Sequence, residues 1–262
     1  MPFEQDREDL IEGRNAVIEA LRAGRGIDKI FLARGETDKT LAYLAARARD
    51  AGVVVVTADR RKLDAMSVTK AHQGVVAIAA AREYHTVADI LAVAAERGEA
   101  PFVIACDALS DPRNLGAVLR TAECVGAHGV LIPKRRSAGL TSVVDKTSAG
   151  AAEHVPVARV PNLPAALRAL KEEGLWIFGA AAADGAASLW DTDLTGPLCL
   201  VIGSEGDGMG RLVAEQCDFL VRIPLRGKLD SLNAATAAGI LMYEVLRQRT
   251  ARHAPQMKIS EG

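Results

Sequence analysis

Two series of alternating helix and strand signals, joined by a connector at residues 81–98, predict an α/β fold around a mostly parallel sheet. Three observations carry that prediction. Short apolar runs rich in β-branched residues recur between segments with helical periodicity. The connections between them are short, as βα loops are. The composition, 49% hydrophobic and 25% charged with Gly 23 and Pro 10, is that of a globular chain and excludes a mainly disordered one. The 262 residues suffice for two domains of about 100 to 150 residues each.

In the first series a helix is expected over 14–22 and a strand over 29–32. A helix over 37–51 follows, with Leu41, Leu44, Ala45 and Ala48 on one face. A strand over 53–56, a short helix from Asp59 and a strand over 74–79 complete that unit. Within the connector a helix over 87–97 is closed by Gly98; residues 81–86, AREYHT, are short and leave the angle between the units open. The second series starts with a strand over 101–106. Asp111 then caps a helix over 113–125 with Pro112 at its first position, and Gly126 stops it. Further strands are expected over 129–132, 154–160, 176–179, 198–202 and 219–223, and helices near 142–149, 163–173, 209–216 and 231–249. The boundaries follow: a unit at 1–80, the connector at 81–98, a unit at 99–250, and a disordered tail at 251–262.

Charge excludes little. Lys+Arg 32 against Asp+Glu 33 leaves a net charge of −1, which announces no nucleic-acid partner for the chain as a whole. Local basic clusters do occur, at Arg60, Arg61 and Lys62 and at Lys134, Arg135 and Arg136 with Lys146. Each is either a solvated turn or a contact for phosphates. Apolar stretches fall well short of the roughly 20 residues of a membrane span. The acidic start MPFEQDREDL is not a secretory signal, so a cytoplasmic protein is expected. None of the four cysteines forms a CxxC pair, which favours buried reduced thiols, and the five histidines show no ligand spacing, so no metal is expected.

Three segments place glycines and polar residues at strand C-termini, where open α/β sheets bind ligands. The first, 107–120, carries Asn114 near the helix start, with Gly116 and Arg120 four apart on one face. Behind a capped N-terminus Arg120 suits an anion or developing oxyanion, or else belongs to a solvated surface pair. The second, VIGSEGDGMG at 201–210, fits neither a Walker loop nor a dinucleotide fingerprint, and Glu205 within it suits a cation, ribose or amine rather than phosphate. The third runs from Ile223-Pro224 through Gly227 to Ser231-Leu232-Asn233, where Ser231 or Asn233 could also simply cap a helix.

Together the three segments resemble the motifs of the SpoU (TrmH) family of RNA ribose 2'-O-methyltransferases in the SPOUT superfamily. Asn114-Leu115-Gly116-Ala117-Val118-Leu119-Arg120 stands for the first motif and Ile202-Gly203-Ser204-Glu205-Gly206-Asp207-Gly208-Met209 for the second; the segment from Ile223 to Asn233, continued by AAGILMYEVLRQR, stands for the third. Residues EGRNAVIEALRAG…IDKIFLARG resemble the L30e-like substrate-binding domain of bacterial 23S rRNA guanosine-2'-O-methyltransferases. One departure is Ala234-Ala235-Thr236, where the family usually has valine, serine and valine.

The resemblance implies an L30e-like RNA-binding domain at 1–80 and a SPOUT domain at 99–250 whose segment near 198–244 is threaded into a trefoil knot. It implies S-adenosyl-L-methionine as cofactor, held by Gly203, Ile223 and Leu232 with Ile202 and Ser231 beside them. It further implies a homodimer whose site is completed by both protomers, and RNA as substrate, a guanosine of 23S rRNA. Arg120 would support the 2'-oxygen as it loses its proton, and Asn114, Glu205, Ser231 and Asn233 would hold that arginine, the nucleotide and the loops. The same chemistry on tRNA or on a resistance-type rRNA site is the alternative, as is a non-catalytic RNA-binding ribosome-assembly factor.

Overall fold

A computed structural model of the chain describes residues 10–35, 38–81, 83–183, 185–206 and 208–253. The first unit is a mixed four-stranded sheet of order β1-β4-β2-β3. Its strands are β1 (Leu10–Glu12), β2 (Ile27–Ala33), β3 (Val54–Ala58) and β4 (Val75–Ala79). Helices α1 (Arg14–Arg22) and α2 (Lys39–Asp50) bury Val17, Leu41, Leu44 and Ala48 against Ile30, Val75 and Ala77. The short α3 (Arg60–Met66) seals the opposite face with Leu63. Asp38 caps α2 by accepting the Thr40 N–H at 2.7 Å.

The second unit holds seven strands in the order β7-β6-β5-β10-β8-β11-β9, and the pairings among their described residues are parallel. These are β5 (Phe102–Cys106), β6 (Gly129–Pro133), β7 (Val157–Val160), β8 (Trp176–Ala180), β9 (Ala187–Ser188), β10 (Leu198–Ile202) and β11 (Phe219–Arg222). The central β5 and β10 are buried at every residue, which is why they read FVIAC and LCLVI without alternation. Phe102, Ile104, Leu198 and Leu200 face α5 (Pro112–Cys124) and α9 (Ala234–His253) through Leu115, Leu119, Leu241 and Val245. Val103, Ala105, Cys199 and Val201 face the other way, toward α4 (Val87–Arg97) and α7 (Leu163–Glu172) through Ile90, Leu167 and Leu170. α4 ends at Gly98 in the left-handed conformation, as its sequence predicts, and begins at a Thr86 capping box.

Several boundaries differ from expectation. Residues 231–233 stand outside α9, because the Asn233 side chain accepts the Thr236 N–H and starts the helix one residue later. The helix expected over 209–216 shrinks to α8 (Arg211–Ala214), since the Gly210 N–H is held by Asp107 Oδ2 at 2.7 Å and keeps that segment extended. The strand expected from 154 begins at 157, after a 3-10 turn over Ala151–Glu153. The three-residue β1 and two-residue β9 carry too little pattern to be foreseen. Helix α9 continues through His253, so 251–253 are helical rather than disordered; residues 254–262, and Thr37 at the expected start of α2, lie outside the described residues. Cys106 and Cys199 are buried free thiols, but Cys124 is exposed at the end of α5 and Cys217 is half-buried. Between the units Tyr84 and His85 lie on β7: the His85 N–H donates to Val157 O at 2.9 Å.

His128 ties the foot of this sheet together. Its Nδ1 accepts the Phe102 N–H at 2.9 Å, so Nε2 carries the proton and faces Glu99 Oε2 at 3.1 Å. Burial outweighs the glutamate and holds the imidazole below its ordinary value of 6.5. The unfolded chain then takes up a proton before the folded one, so stability is lost as pH falls through the unfolded value. Urea unfolding is expected to show a lower midpoint at about pH 5.5 than at about pH 7.5, and His128→Asn should shrink that difference.

Candidate active site

The C-terminal ends of β8, β10 and β11 open onto a cavity of about 730 Å³. Ile202 ends β10 and Gly203 follows it. The chain then doubles back, with Ser204 and Gly208 exchanging backbone hydrogen bonds at 3.0 and 3.1 Å. Gly206 and Gly208 have φ of +95° and +65°, which only glycine adopts without strain. A Cβ on Gly203 would stand 2.3 Å from the Gly208 carbonyl carbon and 2.5 Å from the Met209 nitrogen, so the turn closes only because that position is bare. The cavity wall includes Ile202, Gly203, Ile223, Ser231, Leu232 and Asn233, and also Ala180, Ala181, Ala182 and Ala183. The first six were singled out in the sequence. The alanine run was not, although small residues directly after a central parallel strand are a signal that could have found it.

Three motif residues meet at the rim. Oε1 of Glu205 accepts Asn114 Nδ2 at 2.9 Å, the Ala234 N–H at 3.2 Å, and Asn233 Nδ2. Asn233 Nδ2 also reaches Asn114 Oδ1 at 3.1 Å. These contacts join residues 91 and 119 positions apart into one closed network. Ser231 lines the cavity wall, but its hydroxyl donates to Asp230 Oδ1 at 3.2 Å and stays out of the network.

Arg120 is exposed on α5 and does not line the cavity, and its side chain has no hydrogen bond or ion pair among the described residues. Six residues beyond Asn114 it sits about 9 Å further along the helix axis. Gly116 is buried against Thr147 of α6 (Ser142–Thr147), where a Cβ would stand 2.0 Å from the threonine hydroxyl; the shared face read from the sequence thus serves packing at one residue and solvent at the other. In the basic clusters Arg60, Arg61 and Lys62 form the first turn of α3, and Lys62 Nζ lies 5.0 Å from the Phe31 ring centroid. Lys134 Nζ donates to Gly52 O at 2.8 Å, while Arg135, Arg136 and Lys146 are exposed. Among the described residues no group of three His, Cys, Asp or Glu side chains could hold a metal ion.

Residues 101–243 match the model of the SpoU rRNA methylase family. The chain belongs to that family. Residues 10–85 of this methyltransferase match a second model, described as RNA 2'-O ribose methyltransferase substrate binding. YacO of Bacillus subtilis (strain 168), placed in the TrmH family of tRNA/rRNA methyltransferases, is 49% identical over 241 residues, which is 92% of this chain and 96% of YacO. The AdoMet-bound rRNA methyltransferase from Sinorhizobium meliloti is 25% identical with a TM-score of 0.57, over 93% of this chain and 89% of that one. The fold is also that of the SpoU methyltransferase AviRb from Streptomyces viridochromogenes in complex with AdoMet, at 24% identity and a TM-score of 0.59, over 96% of this chain and 95% of AviRb. The protein is an AdoMet-dependent RNA methyltransferase. The cavity suits that cofactor: it is large enough, mostly apolar, and bordered by the bare Gly203 turn, where backbone groups are within reach of a ligand.

Gly203→Ala would push the turn into the cavity. Calorimetric titration is expected to show AdoMet affinity at least about tenfold weaker, equivalent to about 1.4 kcal/mol, with the far-ultraviolet spectrum unchanged.

Proposed function

We propose that this methyltransferase modifies the 2'-hydroxyl of a ribose in RNA, at a guanosine of 23S rRNA, and that it works as a cytoplasmic homodimer. The observation that carries the reading is the closed Asn114–Glu205–Asn233 network at the rim of the cavity, since it needs all three motifs intact. In this reading residues 1–80 bind RNA, 99–250 carry the chemistry, and Gly203, Ile223, Leu232, Ile202 and Ser231 hold AdoMet. The insertion of β10 between β5 and β8, with α9 returning over α5, supports a trefoil knot near 198–244.

AdoMet supplies an electrophilic methyl group. The protein's task is to align the weakly nucleophilic ribose oxygen with it and to ease loss of the hydroxyl proton. An arginine is too weak an acid to serve readily as a base in water, so Arg120 acts by electrostatic support of the forming oxyanion. Its exposed position, clear of its own subunit's network, supports a dimer in which Arg120 of each subunit serves the cavity of the other. Asn114, Glu205 and Asn233 fix the rim where the nucleotide docks. Arg60, Arg61 and Lys62 cluster in the first turn of α3 and suit phosphate contacts, as do Lys134, Arg135 and Arg136.

Purified protein and labelled AdoMet would be given protein-free 23S rRNA, 16S rRNA and bulk tRNA in parallel, and the labelled nucleotide mapped. Label on a single 23S ribose is the expected result. Label on tRNA alone would keep the chemistry and overturn the substrate, while AdoMet binding with no transfer to naked RNA or ribosomal particles would leave an RNA-binding assembly factor. Arg120→Ala should abolish transfer with AdoMet affinity nearly unchanged; turnover surviving within about tenfold would remove its role. Affinity for RNA should fall at least about a hundredfold between roughly 50 and 200 mM salt if both basic clusters touch phosphates.

A further inference from the structure

One buried polar cluster lies away from the cavity and takes no part in the proposed chemistry. It starts in β2, where the pairing with β4 slips: Ile27 faces Ala79 and Lys29 faces Ile78, leaving Asp28 as the extra residue of a bulge. Asp28 Oδ1 accepts the Tyr84 hydroxyl at 2.5 Å and Arg159 Nη1 at 2.7 Å, and its backbone carbonyl accepts Arg159 Nη2 at 2.8 Å. Tyr84 Oη in turn accepts the Leu140 N–H at 2.8 Å, and Arg159 Nη2 also reaches Lys134 O at 3.3 Å. The two charged side chains are 6% and 8% exposed. Gly139 lies flat on the carboxylate, where a Cβ would stand 1.7 Å from Asp28 Oδ2. Burial, with the carboxylate beside it, pushes the Tyr84 hydroxyl far above its ordinary value, so it remains a donor.

A buried ion pair contributes little net stability, because desolvation offsets most of the attraction, but it imposes direction on whatever it joins. Here it joins four segments: a strand of the first sheet, the connector, the loop after β6, and β7. The same segments bracket the two basic clusters. Lys62 rests on Phe31, which follows Asp28 along β2, and the Lys134 carbonyl is bonded by Arg159 itself. Clusters 72 residues apart in the chain are thereby held at one spacing.

We propose that Asp28, Tyr84 and Arg159 are positioning residues that fix the substrate-binding unit relative to the AdoMet cavity, so that an RNA is methylated only where its phosphates span both basic clusters while its target ribose enters the cavity. The proposal rests on the reading of the first unit as RNA-binding. It makes the enzyme a ruler for folded RNA: the rigid seam sets which nucleotide reaches the methyl group.

The test uses the full chain with Asp28→Asn, Tyr84→Phe and Gly139→Ala, the last of which wedges the seam without removing a polar group. Spin labels on keto amino acids placed at Glu19 and Glu172, diluted with unlabelled protein, report the distance between the units by pulsed dipolar spectroscopy. Kinetics are measured on the RNA methylated by the wild type and on a short single-stranded RNA bearing only the target nucleotide. The variants are expected to broaden the distance distribution and to keep AdoMet affinity within twofold. They should lower kcat/KM at least tenfold on the folded RNA but less than threefold on the short one. An unchanged distribution would overturn the proposal, as would a broadened one with kcat/KM on the folded RNA within twofold of wild type, or equal losses on both RNAs. Tyr84→Phe keeps side-chain volume and serves if Asp28→Asn fails to fold. Absence of transfer by the wild type to any RNA would overturn the functional reading and the positioning role together, while the distance distributions would still show whether these side chains hold the seam.

Discussion

A single carboxylate oxygen governs the cavity end of this molecule. Oε1 of Glu205 receives N–H groups from α5, from the side chain before α9, and from the backbone of α9's first residue. Its position depends on the Ser204–Gly208 turn, which closes only over a bare Gly203 and passes through two left-handed glycines. Backbone geometry at β10 thus sets where the carboxylate points, and the carboxylate sets where two helices begin relative to one another. Glu205 and Asn233 are exposed, so these bonds add only modest stability; what they supply is the alignment of three segments far apart in the chain.

The sheet beneath makes such precision possible. β5 and β10 are paired along five registered positions and are covered on both faces, so their C-terminal ends move little. Asp107 continues β5, and its carboxylate holds the Gly210 N–H, which ties the far end of the glycine loop back to the neighbouring strand. The cavity is therefore anchored at both ends of the glycine loop that lines it, which leaves a largely preformed surface.

What the sequence made legible divides along physical lines. Central strands and the helices over them were readable because burial on both faces leaves an apolar run, and because Asp111 and Gly98 carry their own capping chemistry. The site residues were readable as motifs, and the structure brings Asn114, Glu205 and Asn233 within bonding distance as a group. Ser231 and Asn233, adjacent in one motif, separate in use because only Asn233 can cap α9 and bridge to Glu205 at once. The Arg120 side chain has no partner among the described residues, so its role rests on the motif alone. The Asp28–Arg159 pair was invisible for another reason: it spans 131 residues and depends on a bulge, and neither leaves a periodic trace.

The connector has a further consequence for the chain in a crowded cell. An open parallel sheet ends in two outer strands whose unpaired backbone groups invite other chains to add on. One outer strand here, β9, has only two residues. The other, β7, is longer, and along it lie the His85 backbone pairing and the Arg159–Asp28 bridge to the first unit. The connector therefore doubles as a guard rail: by pairing His85 along β7 it covers part of the longer outer strand and denies it as a template for strand addition.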